Sequence, residues 1–272
     1  MGFADLTGPR AKLERAEEHF KALCDECLMF VQQDTNFGRI TFDCEDGWYV
    51  VLLHPIPDFP LHIALIAGDC LNNIRAALDQ LIWQLVLRED QEPGQSHSFP
   101  IYDTREEFIK KVETPAKKGK QKSPLYGIPV DGDAWRIIEA VQPFNNPQPE
   151  CGDLALLAKF TNFDKHRTLL LQETYAGPQW VANGIRWRPS LQPIERRLSP
   201  DFVPRSREQP TEIARFRFEP GVDPGIRMMG NIPVEPTIGD DKIDIALWCL
   251  SNFRRGAEEI LDQIAALPRV KV

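Results

Sequence analysis

Arg75 and Asp79 stand four residues apart in the run Gly68-Asp69-Cys70-Leu71-Asn72-Asn73-Ile74-Arg75-Ala76-Ala77-Leu78-Asp79-Gln80. On a helix that spacing brings the two side chains together, with Asn72 and Trp83 on the same stripe. Two chemistries fit. One is an ordinary i,i+4 ion pair contributing about 0.3–0.5 kcal/mol. The other is a guanidinium fork for an anion, oriented by a carboxylate and an amide. A second group, Asn162, Asp164, Lys165, His166 and Arg167, falls where a helix should end. Cations there complement the helix dipole and satisfy terminal carbonyls. The chemical alternative makes His166 a proton carrier, since an imidazole titrates near pH 6.5.

Other candidate chemistry is sparser. Cys24-Asp25-Glu26-Cys27 is a C-x-x-C without a second ligand pair, so buried small side chains are favoured over zinc. His19, His54, His62 and His97 carry no motif, and no P-loop, G-x-G-x-x-G, G-x-S-x-G or H-E-x-x-H occurs. No metal or cofactor is therefore expected. The net charge of −8 argues against indiscriminate nucleic-acid binding. Positive charge is nevertheless concentrated in two places. Lys110, Lys111, Lys117, Lys118, Lys120 and Lys122 form one cluster, and residues 186–217 hold eight arginines against four acids. Both read first as solvated surface and second as a directional nucleic-acid contact. Trp180, Trp187 and Phe216 are candidate stacking rings, although aromatics in short strands usually pack in cores.

These residues need elements to position them. Leu13, Ala16, Phe20, Leu23, Cys27, Phe30 and Val31 recur at helical spacing over 10–33. Runs 39–44 and 48–53 flank Glu45-Asp46-Gly47, a hairpin signal. The helix carrying Arg75 is expected over about 58–88, with Asp58 as N-cap and Leu71, Ile74, Leu78, Leu81, Ile82 and Leu85 facing the core. Within it, Gly68 is either a close-packing site or a break recapped by Asp69. A short helix is expected at 106–112, longer ones at 134–141, 153–163 and 243–267, and a strand at 168–174. Residues 176–240 read as short strands and turns. The expected architecture is α+β and a single domain over 1–272. Its helical core comes from 9–35, 59–88, 134–163 and 243–268, with a β-rich insertion at 168–240. The most apolar window, 61–87, contains Asp69, Asn72, Asn73, Arg75, Asp79 and Gln80, too polar for a bilayer span. With no secretory signal at the start, the expected setting is the cytoplasm, with no membrane partner.

The Gly68–Gln80 run followed by Trp83 resembles the signature helix of an uncharacterised family of actinobacterial and phage proteins. Phe99-Pro100-Ile101, Gln142-Pro143-Phe144 and Asn162-Phe163-Asp164-Lys165-His166-Arg167 are similar to three further features of that family. That family carries no established activity. More remotely, the helix resembles the HEPN superfamily of helical RNases and nucleotide-binding proteins, which place Arg and His of an R-x4-6-H motif against an RNA backbone, often across a dimer interface. Arg75 matches, whereas Gln80 stands where the motif has His. Glutamine can hold a phosphate or base but does not exchange a proton near neutral pH. The resemblance implies an RNA-binding and possible RNA-cleaving protein with a defence or toxin-like role, as a homodimer. Arg75 and His166 would be catalytic. Asn72, Asp79, Gln80, Asn162, Asp164, Lys165 and Arg167 would bind or orient, without metal. His166 would carry the proton while Arg75 and Arg167 hold the phosphate as negative charge develops. The alternative is a non-catalytic binding or protein-interaction module.

Overall fold

The computed structural model describes residues 2–32, 40–45, 47–53, 58–113, 123–166, 170–175, 185–198, 209–228, 234–239 and 244–271. In chain order the elements are β1 (Ala4–Asp5), α1 (Thr7–Gln32), β2 (Ile40–Glu45), β3 (Trp48–Leu53) and α2 (Leu61–Arg88). Then come α3 (Arg105–Phe108), continued by a π-helical turn over Ile109–Glu113, α4 (Asp133–Ala140), two single 3-10 turns, α5 (Asp153–His166) and β4 (Leu170–Tyr175). The chain continues through β5 (Ile185–Arg186), β6 (Glu195–Leu198), β7 (Thr211–Arg217), β8 (Arg227–Met228), β9 (Val234–Gly239) and β10 (Asp244–Ala246). It closes with α6 (Trp248–Ala265) and β11 (Val270–Lys271). The fold class is α+β, as the periodicities indicate. Among the described residues no helix is long and apolar enough to cross a membrane.

The chain divides into two compact units. The first comprises 1–23, 64–169 and 247–272, and is mainly helical. α2 supplies its centre: Leu71, Ile74, Leu78, Leu81, Ile82 and Leu85 are fully buried, as their spacing requires, and Ala67, Cys70, Ala77 and Val86 widen the buried stripe. Leu13, Ala16 and Leu23 bury the facing side of α1, and the Cys70 thiol donates to the Ala16 carbonyl at 3.3 Å. α4 and α5 pack on α6, whose Leu250, Phe253, Ala257, Ile260, Leu261 and Ile264 are buried. The 243–267 periodicity yields a helix only from Trp248, because Asp244–Ala246 pair antiparallel with β9 and spend their backbone groups there. Parallel pairing of β1 with β11 ties the two ends of the chain together.

The second unit comprises 24–63 and 170–246. Its main sheet has the order β2-β3-β7-β6, all antiparallel, with the expected hairpin at one edge. A three-stranded sheet, β10-β9-β4, and the β5-β8 pair complete it. One side of the main sheet packs aromatics: Trp187 lies 5.5 Å from Phe216 and 6.1 Å from Phe218, and Tyr49 meets Phe218 edge-on at 5.8 Å. Phe216 is fully buried and Trp187 half-buried.

Candidate functional site

α2 is unbroken through Gly68, and the reason for a glycine there is a close approach. A Cβ at Gly68 would lie 2.3 Å from Oδ1 of Asp164 and 2.8 Å from its Cγ. The Asp164 carboxylate sits over this bare stretch of helix and accepts from Nδ2 of Asn72 at 2.6 Å. The spacing Gly68–Asn72 is one helical turn, so both residues face the incoming carboxylate. Asp164 occupies the last turn of α5, where the helix dipole disfavours negative charge, and the Asn72 donor offsets that cost.

One turn further along α2, Arg75 and Asp79 form the expected pair: Nη2 to Oδ1 is 3.0 Å and Nε to Oδ2 is 3.3 Å. Both side chains also reach a third party. Arg75 Nη2 donates to the Phe99 carbonyl at 2.6 Å, and the Phe99 amide donates to Asp79 Oδ1 at 2.9 Å. The pair therefore grips both backbone polar groups of one fully buried residue. Gln142, itself fully buried, extends the grip. Its Nε2 donates to the carbonyls of Pro100 (2.9 Å) and Ile138 (3.0 Å), and its Oε1 accepts from the Tyr102 amide (3.2 Å). Residues 99–102 thus lie outside any strand, and their backbone hydrogen bonds go to side chains. Phe108 lies beneath, edge-on to Tyr102, Trp135 and Phe144 at 6.4, 6.0 and 5.6 Å. Burial pushes the Tyr102 hydroxyl above its ordinary range, with Glu107 adding to the rise and Arg75 opposing it.

The remaining candidates lie apart from this clamp. Gln80 Oε1 is 3.2 Å from where a Cβ on Gly8 would stand, so the side chain is turned onto α1. Asn162, Lys165 and His166 are exposed at the end of α5. No described hydrogen bond or ion pair joins His166 to Arg75, Asp79 or Asn72. Arg167, Lys117, Lys118, Lys120, Lys122 and Trp180 fall outside the described residues. The structure thus brings Asn72 together with Asp164, and Arg75 together with Asp79 and Phe99.

Two clefts are lined by other residues. One of about 410 Å³ lies between Val141–Leu154 and α6, with Asp153, Glu259 and Gln263 at its rim and Phe253 and Ile260 at its floor. The other, about 580 Å³, is a charged groove between α1 and α6. In it Arg254 reaches Glu17 (3.0 Å) and Glu258 (2.8 Å). Cys27 of the C-x-x-C is buried, which pushes its thiol up to about 12, while Cys24 is exposed. Among the described residues no group of three or more His, Cys, Asp or Glu side chains could hold a metal ion.

Spacing alone did not disclose the role of Phe99, Gln142 and Tyr102. The one available signal was that Phe99-Pro100-Ile101 and Gln142-Pro143-Phe144 each pair a buried-type aromatic with a proline that cannot donate to a ladder. Comparison of the chain with protein-family models, with curated proteins and with solved structures gives no match in any of the three.

Proposed function

We propose that this chain is a cytoplasmic, non-catalytic binding protein in which the polar stripe of α2 is a structural clamp. The observation that carries the reading is the double grip on Phe99: Arg75 on its carbonyl and Asp79 on its amide. An anion arriving at Arg75 would compete with the Asp79 carboxylate and with a 2.6 Å bond to a buried carbonyl. Breaking that bond leaves the carbonyl unpaired, a cost of about 1–3 kcal/mol. The competing reading is metal-independent RNA cleavage, which needs a proton carrier and a cation at one phosphate. Arg75 is committed elsewhere, and the candidate imidazole, His166, shares no described bond with it. All six cysteines are free thiols, which suits a reducing compartment.

The test is incubation of the purified full chain with a mixed RNA pool, with and without chelator, beside His166→Ala and Arg75→Lys. The expected result is intact RNA in every lane. Cleavage by the parent chain that disappears in both variants would replace this reading with the nuclease one.

A further inference from the structure

The main sheet of the second unit has a second face, and its chemistry is unlike the aromatic one. Register places Trp48 opposite Arg217, which pairs in turn with Glu195. Val50 stands opposite Arg215, which pairs with Arg197. Since cross-strand partners share a face, three arginines surround one indole. The guanidinium carbons of Arg197, Arg215 and Arg217 lie 4.7, 5.8 and 5.9 Å from the Trp48 ring centre. That range suits cation–π attraction, and it explains how three like charges are tolerated together. Two of them are also countered. Arg197 places Nη2 and Nε on one oxygen of Glu195 at 2.6 and 3.0 Å, and Arg215 forms a two-pronged pair with Glu212. Arg217 is exposed and has no carboxylate partner among the described residues. Register places two more acids on this face, Asp43 opposite Val50 and Glu45 opposite Trp48; both belong to β2, so the acids gather at that edge and the arginines over β6 and β7.

We propose that the Arg197–Arg215–Arg217 face around Trp48 is a docking surface for single-stranded nucleic acid. The cluster already contains carboxylates for two of its arginines. What it leaves open is one guanidinium, that of Arg217, with no carboxylate partner among the described residues, and the outer faces of planar groups held by the indole and the glutamates. Phosphodiester-linked bases use both features. Phosphate takes the fork of Arg217, and unstacked bases lie on guanidinium planes. A duplex hides its base faces, and an acidic peptide offers only the charge. The proposal goes beyond the clamp reading and concerns different residues in the other unit. Its failure would leave that reading untouched, because RNA integrity and RNA binding are read separately.

The test uses the full chain and a fluorescein-labelled, mixed-sequence single strand of about 12 nucleotides, read by fluorescence anisotropy across a salt series. The expected result is salt-sensitive binding, with Arg217→Ala reducing the slope of log K against log salt by about 0.7. Arg217→Glu should weaken affinity roughly tenfold or more. Lys21→Ala, an equal charge loss on α1, should leave affinity unchanged. If Arg217→Ala fails to fold by circular dichroism, Arg217→Lys takes its place. It keeps the charge, so the expected outcome is an unchanged salt slope with weaker binding. Three outcomes would overturn the proposal: no binding at low salt, equal binding of a polyglutamate of matched charge, or affinity indifferent to every Arg217 variant.

Discussion

Replacing Gly68 with alanine sets two effects of opposite sign against each other. In a helix interior alanine is favoured over glycine by about 1 kcal/mol, so on propensity alone Gly68→Ala stabilises. The new methyl would lie 2.3, 2.8 and 3.0 Å from Oδ1, Cγ and Oδ2 of Asp164, and at the first two distances the carboxylate must move. Asp164 must swing away and give up the 2.6 Å bond from Asn72. A hydrogen bond to a charged group contributes about 1.5–3 kcal/mol, and these partly exposed partners belong at the low end. The bond and the residual crowding together outweigh the propensity gain, for a net loss of about 1–2 kcal/mol. In an Asp164→Ala background the obstacle is gone, and the same substitution should stabilise by about 1 kcal/mol. Urea unfolding of the four proteins in this cycle reads the change of sign. Stabilisation by Gly68→Ala in the parent chain would refute the close-approach argument, because the carboxylate would then not be over the helix.

Two further expectations can be checked with standard tools. Gln142→Leu keeps the volume but strips the Tyr102 amide and the Pro100 carbonyl of their partners, so it should cost about 2–4 kcal/mol, a Tm lower by roughly 2–4 °C per kcal/mol in a calorimetric scan. An unchanged Tm would mean that residues 99–102 are held by something else. Brief alkylation of the native protein should label the exposed Cys44 and Cys151 and spare the buried Cys27 and Cys70, which react only after denaturation. Mass spectrometry of the peptides decides it, and early labelling of Cys27 would contradict the burial that pushes its thiol up to about 12.

Most of the helical framework was legible because a 3.6-residue apolar period states both the element and its buried face. α2 is the clearest case. The same period fixed Arg75 and Asp79 as neighbours yet carried no information about Phe99, twenty residues later in a loop. Bonds to backbone carbonyls and amides leave no residue-type signature, so an ion pair that clamps a loop reads like one that faces water. Gly68 was ambiguous for a related reason. Its partner, Asp164, comes from a distant helix, and only tertiary packing distinguishes a close approach from a break. The Trp48 face was hidden by topology. The β2–β3 hairpin was readable from its Asp-Gly turn, but the pairing of β3 with β7, which brings Arg215 and Arg217 onto the indole, joins segments far apart in sequence. Of the three candidate stacking rings, Trp187 and Phe216 lie together on the aromatic side, and Trp180 falls outside the described residues.

Arg75 and Asp79 hold the backbone of Phe99 from both sides. Amide hydrogen exchange at Phe99, compared between the parent chain and Asp79→Ala, reads the strength of that grip. Removing the acceptor at 2.9 Å and unpairing Arg75 should cost the local structure about 2 kcal/mol, which is roughly 30-fold faster exchange through local opening. Amides in the middle of α6 should keep their protection. Equal exchange at Phe99 in the two proteins would contradict the clamp.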